Sequence, residues 1–493
     1  MIDAGGFGRD WLRVRAEMTP GRLAVIADVC ETSFAELDAR ADAAARGLVG
    51  HGTGEGDRLA LLLPNSVRFV ELVHAAPRSG AILVPLNTRL SRDELAWQLR
   101  DSGATLLVYD DATSAAARAV SGTAGVAAVH VHELASVPAS DRPLRYEHGL
   151  NAIHGIIYTS GTTGTPKGAM LTFGNHAASA VASATNLGVR EDDRLLASLP
   201  MFHVGGLAVL LRGVLYGNAV VVPGSFDPAR VNASIARDGV TTISVVANML
   251  RRMLDERGDA PYPASLRTVL LGGGPAPREL LADCAGRGLP VLQTYGLTEA
   301  GSQVATLAPA DALQKLGSAG RPLPGTTIRI ESEERPCAAG EAGEILVSGP
   351  TVSPGYWQRP EETASMFREG WLRTGDAGYL DDEGYLYVLD RRDDLIVSGG
   401  ENVYPAEVES VLQSHPDVAE AGVYGMADGR WEAVPAAAVV LRAGADMSEE
   451  HVIEWCRARL ARYKCPARVR FVEALPRNAA GKLQRRLLGG QAR

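Results

Sequence analysis

The sequence predicts an α/β protein of at least two domains, the first large and built of layered parallel sheets and helices, the second small and α+β. Three observations carry this. Through the first half, short apolar runs alternate with helix-length segments, the signature of parallel strands joined by crossover helices. After about residue 325 the pattern changes to short β-like runs separated by turns. The charged stretch Asp390-Arg391-Arg392-Asp393-Asp394, followed by Ser398-Gly399-Gly400, then separates these runs from a fresh α+β pattern. The 493 residues also exceed what one core encloses, since single cores stop growing at roughly 250–300 residues. A boundary between Arg392 and Asp393 gives domains 1–392 and 393–493, the second about 100 residues long, a reasonable small domain.

The elements follow in order. Residues 34–48 form an amphipathic helix opened by Thr32 and Ser33 as caps. Residues 58–63, 81–85 and 105–109 are buried-strand candidates, and the pattern returns at 219–223, 242–246 and 268–271. Pro77 interrupts the helical pattern of residues 66–80 and predicts a kink or an early helix end. Strands are expected at 343–348 and 385–389. Beyond the boundary come a helix over 406–414, strands near 418–425 and 436–441, and a helix over 448–461.

Composition narrows the function. With 46% hydrophobic and 22% charged residues the chain reads as a globular protein. A net charge of −9 without a long basic run argues against nucleic acid or an anionic membrane surface as partner. The five cysteines, Cys30, Cys284, Cys337, Cys456 and Cys465, show no C-x-x-C spacing, so neither a zinc site nor a redox dithiol is expected. Their scatter suits reduced thiols. No signal peptide and no membrane span are read, which points to a cytoplasmic protein. Neither G-x-S-x-G nor H-E-x-x-H occurs.

Four motifs bear chemistry. The apolar run 155–158 leads into Thr159, Ser160, Gly161, Thr162, Thr163, Gly164, Thr165, Pro166, Lys167 and Gly168. Glycines let backbone N–H groups curl around an anion, hydroxyls add donors and Lys167 adds charge, as a triphosphate requires. The spacing fits neither a Walker A loop nor a dinucleotide loop. The second motif is Gln293-Thr294-Tyr295-Gly296-Leu297-Thr298-Glu299, just after the glycine run Gly272-Gly273-Gly274. Tyr295 could stack on a base, Thr298 donate to a phosphate and Glu299 hold Mg²⁺. The third is Trp371-Leu372-Arg373-Thr374-Gly375-Asp376 with Asp390-Arg391 following, where Asp376 could accept from ribose hydroxyls. The fourth is the lysine-bearing turn ending Gly481-Lys482. Each of the last three, alone, reads first as a plain structural feature: a buried Tyr with a salt-bridged Glu, a turn Asp with a surface ion pair, and a solvated lysine.

In this order the four motifs resemble the acyl-adenylate-forming superfamily, which includes acyl-CoA synthetases, peptide-synthetase adenylation domains and beetle luciferases; the resemblance spans nearly the whole chain. It implies a large N-terminal domain with a small β-barrel-like part, and a mobile C-terminal lid carrying the catalytic lysine. It also implies ATP and Mg²⁺ as cofactors, CoA as co-substrate and a small-molecule carboxylic acid as partner, with a homodimer allowed for. By the same resemblance, residues 159–168 form the phosphate loop, Gly273, Gly274 and Tyr295 contact the nucleotide, and Asp376 and Arg391 bind ribose. Lys482, Thr298, Glu299 and His203 serve catalysis, with Glu299 on the metal. Asp393 is the hinge, and Gly399, Gly400 and Glu401 face CoA.

Within the superfamily, Met201-Phe202-His203-Val204-Gly205-Gly206-Leu207 and residues 210–217 are similar to o-succinylbenzoate–CoA ligases of menaquinone biosynthesis. That likeness assigns His203, Arg212 and Ser302 to the acid. O-succinylbenzoate has two carboxylates of which one is activated; the other needs a partner, and an arginine fork suits it. A snorkelling Arg212 and a packed His203 are the plain alternatives, and a fatty- or aromatic-acid ligase or a non-catalytic nucleotide-binding relative are the rival functions. Two features depart from the family pattern: Pro77-Arg78 falls where the helix usually continues smoothly, and Trp431-Glu432-Ala433 lacks the glycine that often follows the aromatic residue.

Overall fold

The computed structural model describes residues 8–28, 30–136, 142–159, 165–273, 278–312, 314–315, 317–332, 334–390, 396–403, 405–476 and 485–489. The chain divides into two compact units. One comprises 1–88, 99–157 and 168–389, the other 89–98, 158–167 and 390–493. The second unit thus takes two short segments from the N-terminal half, which the sequence did not suggest. Residues 391–395, where the hinge was expected, lie outside the described residues.

Two largely parallel sheets organise the first unit. One has nine strands, with Leu23–Ala27, Arg194–Leu196, Ala219–Val222, Thr242–Val245, Thr268–Leu271 and Val291–Leu297 parallel in its interior and antiparallel strands at both edges. The other has six strands in the order Ala127–His130, Leu106–Tyr109, Arg58–Leu62, Ile82–Pro85, Ile153–Thr159, Lys167–Thr172. Strands such as Leu106–Tyr109, Ala219–Val222 and Thr268–Leu271 are buried along their whole length. That is why they read as unbroken apolar runs, since a parallel sheet is covered on both faces. The helix Val204–Tyr216 supplies Leu207, Leu210, Leu211 and Val214 to a core shared with Leu59, Leu61 and Leu83 of the six-stranded sheet and Val220 and Val222 of the nine-stranded one.

A third, antiparallel sheet contains Thr327–Ser332, Gly343–Ser348 and Trp371–Leu380, with Leu386–Asp390 on the last. It stands where the β-barrel-like part was expected. In the second unit, the long hairpin Val418–Asp428 and Glu432–Leu441 takes Arg468–Phe471 as a parallel neighbour, and the helices Pro405–Gln413 and Glu449–Arg457 bury Val408, Leu412, Val452 and Cys456 in the same core.

Local signals worked where caps are concerned. The helix Phe34–Gly50 starts at Ser33, whose side chain accepts from the Glu36 N–H while the Glu36 carboxylate accepts from the Ser33 N–H. Pro77 is different. The helix Val67–Ser79 runs through it for two more residues and closes on Gly80, whose φ of 92° lets its N–H turn back to the Ala76 and Pro77 carbonyls. The proline sits in the last turn, so the helix is not cut short there. Its neighbour Arg78 is wholly buried. The guanidinium donates twice to Asp10 (Nε 2.9 Å, Nη2 2.7 Å), to Asp38 Oδ1 at 2.7 Å and to Asp42 Oδ1 at 2.7 Å. Arg13 joins from the other side, on Asp38 and Asp42. Three carboxylates and two guanidinium groups thus tie the chain's first helix to the helices that follow it.

Candidate nucleotide and acid site

The parallel strands of the nine-stranded sheet point their carboxyl ends at one edge, where open α/β sheets bind ligands. Gly272 and Gly273 follow Thr268–Leu271 there, and Gly273 takes a φ of 82°, open to glycine at no steric cost. Gly274 lies outside the described residues.

The next strand, Val291–Leu297, carries Tyr295. Its ring is buried and its hydroxyl donates to Asp376 Oδ2 at 2.7 Å. Asp376, on Trp371–Leu380, is itself 9% exposed. Two residues far apart in the chain and assigned separately to base and ribose therefore meet. Gly296 is obligatory: a Cβ would stand 1.8 Å from the Ser302 carbonyl oxygen. The register slips between Tyr295 and Gly296; such a bulge re-aims the chain. Ser302 has a φ of 105°, a left-handed conformation that an L-residue holds only where its surroundings impose it.

Thr298 and Glu299 form the short 3₁₀ turn after this strand, both partly exposed. The Glu299 Oε1 accepts from Tyr356 Oη at 2.9 Å, and the Glu299 carbonyl accepts from the Ser353 N–H at 2.8 Å. Tyr356 was not foreseen; a lone tyrosine after a Pro-Gly pair carries no motif. It does more than hold Glu299. Met170 N donates to Gly355 O at 3.0 Å, Trp357 N donates to Gly168 O at 2.8 Å, and Ala169 bridges to Tyr356. The strand that leaves the phosphate loop is thereby pinned to the residue that holds the acidic side chain.

The loop itself joins two neighbouring strands, Ile153–Thr159 and Lys167–Thr172. Thr159 ends the first and Lys167, buried, begins the second. Ser160, Gly161, Thr162, Thr163 and Gly164 lie outside the described residues, as do Arg391, Asp393 and Lys482.

His203 caps the helix Val204–Tyr216 without a side-chain cap bond and meets Phe202 edge-on, ring centroids 4.8 Å apart. Gly206 is fixed by packing, since a Cβ would come within 2.2 Å of the Pro200 carbonyl oxygen. Arg212 lies further along the same helix, about 13.5 Å along the axis at 1.5 Å per residue. It is 7% exposed. Its Nη2 donates to Ser179 Oγ at 3.1 Å, its Nε has no partner, and among the described residues no carboxylate pairs with it. Burial lowers the Arg212 pKa from its ordinary value. Arg212 in turn helps burial keep the neighbouring His176 neutral, its pKa pushed down to about 3. Ser179 is legible only afterwards: His176, Ser179 and Ser183 recur at helical spacing on a buried face.

In the second unit, Gly399 and Gly400 form the two-residue turn between Ile396–Ser398 and Glu401–Val403. Their φ values of 58° and 83° are both left-handed, as a tight hairpin of this kind needs. A Cβ on Gly399 would strike the Trp431 ring at 2.5 Å. Glu401 is buried and ion-paired with Arg89. Glu432, the residue after Trp431, has a φ of 69°, in the left-handed range that glycine takes without cost.

All five cysteines are free thiols. No helix among the described residues is long and apolar enough to cross a membrane, and no group of three or more His, Cys, Asp or Glu among them could hold a metal.

The buried Tyr295–Asp376 pair at the sheet's carboxyl edge and a separate small C-terminal unit suit an adenylate-forming enzyme, and the chain belongs to the AMP-binding enzyme family, which it matches over residues 12–357, with the C-terminal domain of the same family over 407–482. Among individual proteins, it is 52% identical to the 2-succinylbenzoate–CoA ligase of Geobacillus kaustophilus over 479 residues, 97% of each chain. It is 46% identical to a double mutant of the o-succinylbenzoate CoA synthetase of Bacillus subtilis bound to the product analogue OSB-NCoA, with a TM-score of 0.93 over 97% of this chain and 98% of that one. The same Bacillus subtilis enzyme in complex with ATP and magnesium ion gives 46% identity and a TM-score of 0.75, over 97% and 99%.

Proposed function

We propose that this chain is an ATP-dependent acid–CoA ligase that converts 2-succinylbenzoate, ATP and CoA to 2-succinylbenzoyl-CoA, AMP and diphosphate, a cytoplasmic step of menaquinone biosynthesis. A carboxylate oxygen of the acid attacks the α-phosphorus of ATP, and the bond to pyrophosphate breaks. The CoA thiolate then attacks the carbonyl of the acyl-adenylate and AMP leaves.

Each residue has a place in this reading. Thr159 to Gly164 with Lys167 grip the phosphates, Tyr295 faces the adenine, and Asp376 with Arg391 holds the ribose. The Tyr295–Asp376 hydrogen bond supports that pairing. Glu299 suits Mg²⁺, being a hard oxygen donor already oriented by Tyr356. Mg²⁺ bound there supplies positive charge to the phosphates. Thr298 and Lys482 add donors for the charge that develops in the transition state. Rotation about Asp393 then exchanges Lys482 for the hairpin of Gly399, Gly400 and Glu401, which faces CoA.

The choice of acid rests on Arg212. A buried guanidinium with no carboxylate partner among the described residues is costly unless a ligand supplies one. Arg212 stands nine residues beyond His203 at the start of the helix, and its guanidinium is held by the neutral Ser179 hydroxyl, which leaves its charge for a substrate carboxylate. A fatty or simple aromatic monocarboxylic acid offers it nothing. The test is ATP–pyrophosphate exchange over a panel of acids. Wild type should prefer 2-succinylbenzoate. Arg212→Met should lower kcat/KM for it by at least ~30-fold, since losing one partner of a buried charge pair costs about 2 kcal/mol or more. A preference for monocarboxylic acids in the wild type would overturn the reading.

A further inference from the structure

The segment that leads to His203 is held by a residue that belongs to no motif. Residues 197–203 run from the end of the strand Arg194–Leu196 to the start of the helix Val204–Tyr216 without regular structure. Backbone groups in such a stretch need partners from outside a helix or a strand ladder. Asn65 supplies three. Its Nδ2 donates to the Ala197 carbonyl at 3.2 Å and to the Leu199 carbonyl at 2.8 Å, and its Oδ1 accepts from the Met201 N–H at 2.8 Å. These partners fall within one short turn, 132 to 136 positions along the chain from Asn65. Asn65 is itself fixed. It stands three residues beyond the strand Arg58–Leu62, and the next residue, Ser66, caps the helix Val67–Ser79 by accepting from the Phe69 N–H at 3.2 Å. Ala197 directly follows Arg194–Leu196. The clamp therefore joins the carboxyl end of a strand in the six-stranded sheet to the carboxyl end of one in the nine-stranded sheet, the edge at which Gly273 and Tyr295 stand.

We propose that Asn65 is a positioning residue for the acid: through the turn it holds, it sets where His203 stands. The proposal rests on the reading that gives His203 to the acid. The turn can transmit position because it is braced on both sides. Ser198 Oγ donates to the Ser244 carbonyl at 2.6 Å, which ties the turn to the strand Thr242–Val245. The His203 N–H donates to the Pro200 carbonyl at 3.1 Å. The helix start lies close against the turn, since a Cβ on Gly206 would also stand 2.9 Å from Met201 Cα, and one on Gly205 3.1 Å from Leu199 Cδ1. Met201 and Phe202 are buried, and a close-packed interior passes a shift on rather than absorbing it. The residue type matters as well. Among short side chains, an amide offers two donors and an acceptor together. An aspartate of the same shape would keep the acceptor for Met201 but set a negative oxygen against two carbonyl oxygens.

The experiment uses the full-length protein and ATP–pyrophosphate exchange with 2-succinylbenzoate at saturating ATP. Asn65→Leu and Asn65→Asp should each lower kcat/KM for the acid by about tenfold or more, because a displacement of ~1 Å set up away from the chemistry can cost about a hundredfold. The KM for ATP and ATP binding by calorimetry should stay at their wild-type values, which a general loosening of the fold would not allow. The decisive comparison is a double-mutant cycle with His203→Ala. Adding Asn65→Leu to that variant should cost little more, since a residue that acts through His203 has nothing left to position. Losses that add in full would place the action of Asn65 elsewhere and overturn the proposal. Wild-type acid kinetics in both Asn65 variants would overturn it too, as would loss of ATP binding in them, which would make Asn65 a general brace between the sheets. Wild-type acid kinetics in His203→Ala would instead remove the role given to His203, and the proposal with it, a result read from that single variant. If wild type ignores 2-succinylbenzoate, the substrate assignment fails, and the same cycle on the acid that it does activate decides the role of Asn65.

Discussion

Replacing Arg78 with methionine removes a cation that no water can substitute. Arg78 is fully buried and makes four hydrogen bonds to the carboxylates of Asp10, Asp38 and Asp42 and one to the Asp38 carbonyl. Methionine fills much of the same space, so the loss is electrostatic. Breaking a buried ion pair from one side costs about 3–5 kcal/mol. At ~2.1 cal/mol/K per residue, an unfolding unit of ~380 residues has an entropy near 0.8 kcal/mol/K, so the expected fall in Tm is about 4–6 °C. The pH dependence is diagnostic. Burial pushes the Asp10 carboxyl up, but the hydrogen bonds and charge of Arg78 outweigh it and hold the pKa below 3.8. In wild type that contribution is present above the unfolded pKa and is lost as pH falls through the folded one. Without Arg78, burial prevails and the Asp10 pKa rises above its unfolded value, so the variant gains relative stability on acidification. Asp38 already has a raised pKa from burial, despite Arg78, and adds to the same trend. Thermal unfolding followed at pH 7.5 and pH 5 should therefore show a smaller deficit for the variant at the lower pH. A deficit below about 1 kcal/mol, or one that is the same at both pH values, would refute this account of the cluster.

Two further outcomes are expected. Glu432→Gly should stabilise the C-terminal unit by about 1 kcal/mol, because the left-handed φ of 69° costs an L-residue roughly that much and costs glycine nothing; chemical denaturation showing a loss instead would mean that the Glu432 side chain makes contacts worth more than its strain. Tyr356→Phe should raise the Mg²⁺ concentration needed for half-maximal adenylation and leave the acid preference unchanged, since only the hydrogen bond orienting Glu299 is lost; an unaltered Mg²⁺ titration would separate Glu299 from the metal.

How much of this was legible depended on the range of the signal. The strands of the parallel sheets were readable because burial on both faces leaves runs such as Ala219–Val222 with no polar interruption, and the start of the helix at Phe34 was readable because Ser33 and Glu36 form a local capping box. Asp376 and Tyr295 were picked out singly by their motifs, but their hydrogen bond connects two sheets and no local pattern reports it. Tyr356 and Ser179 were invisible for the same reason. Each is an ordinary residue whose role comes from a partner at least 33 positions away. Arg78 misled in an instructive way: next to Pro77 it looked like a disturbance in a helix, whereas the proline stands in the final turn and the arginine is the hub of a buried charge cluster. The left-handed Glu432 shows the converse, a glycine-like backbone conformation at a residue whose type does not announce it.

The helix Val204–Tyr216 has one more consequence. On the proposed reading it sets the seat of Arg212, nine residues and about two and a half turns beyond His203. Inserting or deleting a single residue between them would turn Arg212 by ~100° around the axis and shift it ~1.5 Å along it, carrying the guanidinium off its seat on Ser179. A change of side chain at Arg212 therefore alters what the site recognises while leaving the helix in place, whereas a change in the helix's length moves the seat itself.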